Sequence, residues 1–164
     1  MSDINIIIKN KQTKLKFKRL ADMDKSILFP AFKRALLYLE GAVDKNLATG
    51  KYGIKTRSGR LRTSLDSRVR FRGKDIEGIV GTNLVYAAIQ ERGGRINVTS
   101  KMAAFAWHKW YETGLIMWKA IALMKGRQVV IPAHWYMRNT AKAERNRVSK
   151  IIKDGLISGI KDAK

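Results

Sequence analysis

Apolar residues at Leu28, Phe32, Leu36, Leu39, Val43 and Leu47 follow one another at steps of four and three, the repeat that lines one face of a helix. The spacing predicts a helix from Ser26 to about Ala48. Pro30 lacks a backbone donor and is tolerated within a first turn, so this helix should begin between Ser26 and Pro30. Gly50 suits a left-handed cap at its end. A second stripe, Ala141, Val148, Ile151, Ile152, Leu156 and Ile160, predicts one long helix from about Trp135 to Ile160. Lys142, Arg145, Arg147, Lys150 and Lys153 occupy its remaining face. Ahead of it the β-branched run Val129-Val130-Ile131 stops at Pro132, which cannot donate to a sheet ladder and whose fixed φ suits helix entry. Pro132 and Trp135 are therefore the expected structural corner between a strand and the final helix.

A period of two takes over elsewhere. Arg68-Val69-Arg70-Phe71-Arg72 alternates strictly, Gly73-Lys74-Asp75 turns, and Ile76 to Val80 returns. This predicts a hairpin with one apolar face and three arginines on the solvated side. Ile4 to Ile8 reads as a short strand. Leu15, Phe17 and Leu20, with lysines between them, form a second strand or an extended arm lying on its own sheet or on a neighbouring subunit. Leu84 to Glu91 is a short apolar helical segment closed by Arg92-Gly93-Gly94, and Arg95 to Val98 resumes as a strand. Thr99 or Ser100 can cap a helix through about Tyr111, with Met102, Phe105 and Ala106 on one side. Leu115 to Trp118 and Ile121 to Met124 form a second apolar piece before the strand at Gln128–Ile131. The 164 residues are expected as one domain, with residues 1–25 as a terminal strand or arm and residues 95–130 as an aromatic insert. That insert holds more aromatic and methionine surface than one small core needs. Trp107, Trp110, Tyr111 and Trp118 either fill a core or form a subunit contact, where such residues are favoured.

Charge changes the picture most. Lys and Arg number 34 against 13 acidic residues, a net charge of +21. Such a chain repels itself and seeks polyanions or an acidic protein surface. The excess is spread over Lys9–Arg19, Lys51–Lys74 and Arg138 to the end, so no single tail carries it. No apolar run reaches the roughly 18 residues a membrane span needs, and no membrane partner is expected. The polar opening, Met1 to Asn5, lacks a basic stretch before a long apolar core, so no signal peptide is expected. The absence of cysteine removes disulfides, thiolate catalysis and cysteine-ligated metal, and fits a reducing compartment.

Candidate chemistry is sparse. Lys51 to Arg62 is basic and glycine-containing but follows a helix, and it lacks the glycines before a Lys-Ser/Thr pair that cradle phosphate. Two histidines, His108 and His134, and scattered acids such as Glu77, Glu91 and Glu112 show no ligand spacing, so no metal or other cofactor is expected. No nucleophile elbow is visible, and no catalytic residue is assigned.

Four pieces stand in a fixed order after the first long helix. They are Thr56-Arg57-Ser58-Gly59-Arg60-Leu61-Arg62-Thr63-Ser64-Leu65 with the hairpin after it, then Gly81-Thr82-Asn83 through Tyr86-Ala87 to Gly93-Gly94, then Val98-Thr99-Ser100-Lys101-Met102, and finally Ile131-Pro132-Ala133 with an aromatic-Met-Arg helix start. Over residues 26 to 160 this order resembles the tailed-bacteriophage virion morphogenesis family, which includes tail-completion and neck (head–tail joining) proteins. In that family a TGRLRxS-like, a YAxxxxxGG-like, a VTxKM-like and an IPARPF-like segment recur in this order. Here Ser58 replaces the usual Thr, and His134-Trp135 stand where the family often has Arg-Pro.

The resemblance implies an α+β fold: a curved, mostly antiparallel sheet with the long helix of the N-terminal half and a C-terminal helix packed on it. It implies a non-enzymatic structural protein of the virion, assembled in the host cytoplasm. Such proteins form a homo-oligomeric ring, commonly six-fold, that meets portal-side connector and tail-tube proteins and joins the tail to the filled head. Arg57, Arg60, Arg62, Arg68, Arg70 and Arg72 would then face the DNA lumen or an acidic partner ring, touching genomic DNA without reading its sequence. The alternative from charge alone is a stand-alone basic nucleic-acid-binding protein.

Overall fold

The structure, a computed structural model, describes residues 4–9, 12–17, 25–54, 58–72 and 75–162. The protein is α+β. In chain order its elements are β1 (Ile4–Lys9), β2 (Gln12–Phe17), α1 (Lys25–Thr49), α2 (Arg60–Thr63), β3 (Leu65–Arg72), β4 (Asp75–Thr82), α3 (Ala87–Arg92), β5 (Gly94–Asn97), α4 (Ser100–Thr113), α5 (Ile116–Leu123), β6 (Gln128–Ile131), α6 (Tyr136–Ala143) and α7 (Arg145–Asp162). The predicted positions Leu20, Arg57 and the Gly73-Lys74 turn lie outside the described residues. The chain divides into two compact units, Met1–Glu91 with His134–Lys164, and Arg92–Ala133.

In the first unit, four antiparallel strands stand in the order β1-β2-β4-β3. The N-terminal strands thus join the chain's own sheet. Helix α1 lies on the sheet and also meets α6 and α7. Its predicted stripe, Leu28 through Leu47, is buried at every position. With Ile76, Val80, Tyr136, Met137, Val148 and Ile152 it makes one apolar core. Burying a side chain such as Phe32 or Leu36 contributes ~1.5–3 kcal/mol, which is why this stripe sets where the sheet and the last helices pack. Gly78 of β4 leaves room for Leu36: a Cβ there would lie 2.8 Å from a Leu36 methyl.

Three expectations need correction. Helix α1 already includes Lys25, so Pro30 sits at its sixth residue instead of in the first turn. The final helix is broken: α6 ends at Ala143, Glu144 leaves helical geometry at φ −91° and ψ 2°, and α7 starts at Arg145. The break lies against α1, where the Tyr38 hydroxyl donates to Glu144 Oε2 at 2.6 Å and Asn46 Nδ2 donates to Thr140 Oγ1 at 2.9 Å. Ile160, the last member of the predicted stripe, is exposed.

The second unit is an antiparallel pair, β5 with β6, carrying the helices α4 and α5. The pair is extended by Val98 N–H donating to Arg127 C=O and Gly126 N–H donating to Val98 C=O, both at 2.9 Å. Thr99, one of the two caps the sequence offers, caps α4 through its hydroxyl. Of the predicted Met102, Phe105 and Ala106 side of α4, only Ala106 turns inward. Ala103 and Ala106 are buried, whereas Met102 and Phe105 are exposed. Gly93, at φ 72°, allows a close backbone approach: a Cβ there would sit 2.7 Å from both Ala133 N and Ile131 O.

Candidate functional site

The candidate basic surface begins where α1 ends. Gly59, at φ 71°, turns the chain into the single helical turn of α2, and the turn is pinned to α1 by a two-pronged ion pair. Arg62 Nε donates to Asp44 Oδ1 at 2.7 Å and its second nitrogen to Oδ2 at 2.9 Å. The hydrogen bonds from Arg62 hold the Asp44 carboxyl below its ordinary range, against the opposing effect of burial, and Asp44 in turn raises the Arg62 guanidinium. Arg62 is therefore committed inside the chain, whereas Arg60 is exposed with no ion pair among the described residues. Arg57 lies outside the described residues.

Strand β3 runs next, and its alternation works as the sequence predicts. Leu65, Ser67, Val69 and Phe71 face α1, and Arg68, Arg70 and Arg72 are exposed on the opposite face. Strand pairing adds what a linear pattern cannot supply. Arg70 is in register with Glu77 and Arg72 with Asp75 on β4, and Arg68 Nε donates to Asp66 Oδ2 at 2.6 Å. Glu77 is buried on this arginine-bearing face. Carboxylates thus interleave the arginine row, so the face is a patterned basic surface instead of a uniformly positive one. A groove of about 240 Å³ crosses it, with Arg68, Arg70, Asp66 and Asn83 in its lining. A larger cleft of about 610 Å³ lies beside α2, lined by Arg60, Tyr86, Gln90 and His134 over Leu47 and Leu61.

The corner is held by a residue that sequence reasoning left unassigned. Trp135 adopts φ 51° and ψ 33°, the one positive-φ non-glycine among the described residues. Left-handed geometry is strained for a bulky side chain. It persists because the surrounding bonds over-determine it. His134 and Trp135 N–H donate to the Gln90 and Glu91 carbonyls at 3.2 and 2.8 Å. The buried Glu91 carboxylate then accepts the Met137 and Arg138 N–H groups at 2.9 and 3.0 Å, capping α6. His134 Nδ1 meets the Tyr52 carbonyl at 2.9 Å, which makes it a packing histidine. Arg138 lies over the Trp135 ring at 5.1 Å. The Tyr136 hydroxyl is buried with no hydrogen-bond partner among the described residues; burial first, then the charges of Glu91 and Tyr86, push its ionisation well above the ordinary range. Pro132 itself is exposed.

In the second unit, Trp107, Trp110 and Tyr111 form a ring cluster on α4, with centroids 5.5, 6.2 and 4.9 Å apart. Trp118 stands apart from it, edge-on to Phe105 at 5.9 Å. The tryptophans are half-buried, but Tyr111 is 76% exposed and Ile116 74%. Lys119 covers Trp110 with its ammonium 4.9 Å from the ring centre.

Among the described residues no group of three or more His, Asp or Glu side chains is placed to hold a metal ion, and no helix is long and apolar enough to cross a membrane. What fold and site define is an α+β protein with a patterned arginine face on a sheet edge. Comparison with family models, curated proteins and solved structures finds no match for this chain.

Proposed function

We propose that this chain is a structural protein of a tailed-bacteriophage virion, a tail-completion or neck protein. It forms a homo-oligomeric ring, six-fold by the resemblance, that joins the tail to the DNA-filled head without catalysing a reaction. The ring meets connector or portal-side and tail-tube proteins, and it assembles in the host cytoplasm. The observation that carries this reading is the row Arg68, Arg70 and Arg72 on the outer face of an edge strand, with Arg60 nearby in the chain. A row of guanidinium groups on a regular strand meets phosphates, or a partner's carboxylates, without reading base sequence. The interleaved Asp66, Asp75 and Glu77 moderate its attraction, which suits a passage through which DNA must slide. The exposed apolar residues of the α4–α5 pair offer a separate contact with neighbours.

Replacing Arg68, Arg70 and Arg72 together by Gln tests the assignment. The side chains are exposed, so far-UV circular dichroism should match the parent, while infected cells accumulate unjoined heads and tails. A normal infectious yield overturns it. The net charge of +21 favours a second reading, a basic protein that binds nucleic acid alone. Native mass spectrometry of nuclease-treated protein from high salt separates the two. A closed oligomer supports the ring. A monomer that retains duplex at moderate salt, with affinity falling steeply as salt rises, supports the solitary binder.

A further inference from the structure

We infer that the two open edges of the four-stranded sheet are complementary, and that β1 of one copy pairs antiparallel with β3 of the next. The sheet order β1-β2-β4-β3 leaves β1 and β3 each with one neighbour among the described residues. Every pairing in the sheet is antiparallel. With four strands, the first and last therefore run in opposite directions. A second copy in the same orientation brings its β3 alongside β1 antiparallel, with the α1-bearing faces on the same side. The arrangement repeats head to tail, and a head-to-tail contact closes into a ring when its rotation allows. This inference deepens the ring reading, since it supplies the subunit contact.

Three features of β3 favour an edge built for pairing. It is eight residues long and pairs with β4 without a bulge from Leu65↔Thr82 to Arg72↔Asp75. Its inward positions, Leu65, Ser67, Val69 and Phe71, carry no charge, and neither it nor β1 contains proline. Inward charge and proline are two of the devices by which sheets blunt an edge; the outward charges of β3 are a third, and they act against pairing with a like-charged strand. Leu65, Val69 and Phe71 are also only half-buried against the core, although Ile76 and Val80 on the neighbouring strand are fully buried. A further strand would complete their cover. Charge selects which strand. Pairing β3 with its own copy would set two Arg68–Arg70–Arg72 rows side by side, and like charges across a strand pair are destabilising. Strand β1, Ile-Asn-Ile-Ile-Ile-Lys, carries one cation at its end.

The chain has no cysteine, so engineered thiols report without background. Within one copy β1 and β3 are three strand steps apart, about 14 Å at ~4.8 Å per step, too far for a disulfide, whose Cα atoms lie ~4.4–6.8 Å apart. Full-length single variants, Ile6→Cys or Ile7→Cys in one preparation and Arg68→Cys, Val69→Cys or Arg70→Cys in another, are mixed at high salt, oxidised and weighed intact. The expected product is a covalent dimer of one chain from each preparation, lost on reduction and dominant for one register. Native mass spectrometry of the same mixtures reads the assembly state. A closed oligomer with no such disulfide in any register overturns the edge pairing and keeps the ring. Crosslinks within the β3 preparation alone overturn it in favour of a two-fold contact. A monomer with no crosslink overturns the pairing in solution.

Discussion

Glu91 offers the sharpest test of how the corner is held. Replacing it with Ala removes the acceptor for two backbone donors, Met137 N–H at 2.9 Å and Arg138 N–H at 3.0 Å. A buried donor left unsatisfied costs ~1–3 kcal/mol. The Met137 donor is buried and belongs near the upper part of that range; the Arg138 donor is part-buried and belongs at the bottom. Loss of a negative charge at the start of α6 adds ~0.3–1 kcal/mol. Restored freedom from burying a carboxylate returns part of this, leaving a net loss of about 3 kcal/mol. Glu91→Gln keeps one carbonyl acceptor and the shape, so about 1–2 kcal/mol is expected. For a chain of this size each kcal/mol moves the melting temperature by ~2–4 °C, so Glu91→Ala should melt about 6–12 °C lower, with Glu91→Gln between it and the parent. Urea unfolding followed by far-UV circular dichroism measures the difference directly. A Glu91→Ala protein within about 1 kcal/mol of the parent refutes the capping role and leaves the backbone bonds of His134 and Trp135 to hold the left-handed corner.

Three further outcomes are expected. Gly41→Ala and Gly155→Ala should differ in sign: a Cβ at Gly41 meets nothing within 4 Å and gains ~0.5–1 kcal/mol of helix stability, whereas one at Gly155 lies 3.0 Å from Ala31 Cβ and 3.1 Å from its Cα, where the α1 backbone cannot yield. Equal midpoints for the two in urea would refute the close α1–α7 crossing. The Asp44–Arg62 pair holds the Asp44 pKa down, so its contribution is present above the ordinary carboxylate range near ~4 and fades as pH falls through the lowered folded value. Because both side chains are more than a third exposed, Asp44→Asn should cost under ~1 kcal/mol at neutral pH and less at about pH 3, read as urea midpoints at the two pH values. Tyr136 ionises above its ordinary value, so the folded state holds a proton that the unfolded chain releases above about pH 10, and stability falls as pH rises through that region. Tyr136→Phe, which removes a buried hydroxyl without a partner among the described residues, should keep neutral-pH stability and flatten the alkaline loss seen by thermal melts.

Much of this protein is legible in one dimension. The 3.6-residue stripe of Leu28 to Leu47 demanded a long helix with one buried face, because only that period puts all six residues against a core. The strict alternation of residues 68–72 fixed which side chains meet α1 and which meet solvent, since successive strand residues point to opposite faces. Thr99 before an apolar run marked a helix start, and the β-branched run before Pro132 marked the end of a strand. Each of these signals is local, carried by neighbours in the chain.

Only tertiary structure decided the rest, because it depends on residues far apart in sequence. Glu91 reaches donors 46 and 47 residues away, and no spacing rule marks it as a cap. Arg62 reads like its basic neighbours until α1 brings Asp44 against it. Strand order set Glu77 and Asp75 beside an arginine row that looked uniformly basic, and it made β1 and β3 the two edges of one sheet. The break at Glu144 stands where Tyr38 and Asn46 bond across to it and to Thr140, contacts that helix periodicity alone does not encode. Periodicity determines which face of an element is buried; the fold determines what that face, and the one opposite, will meet.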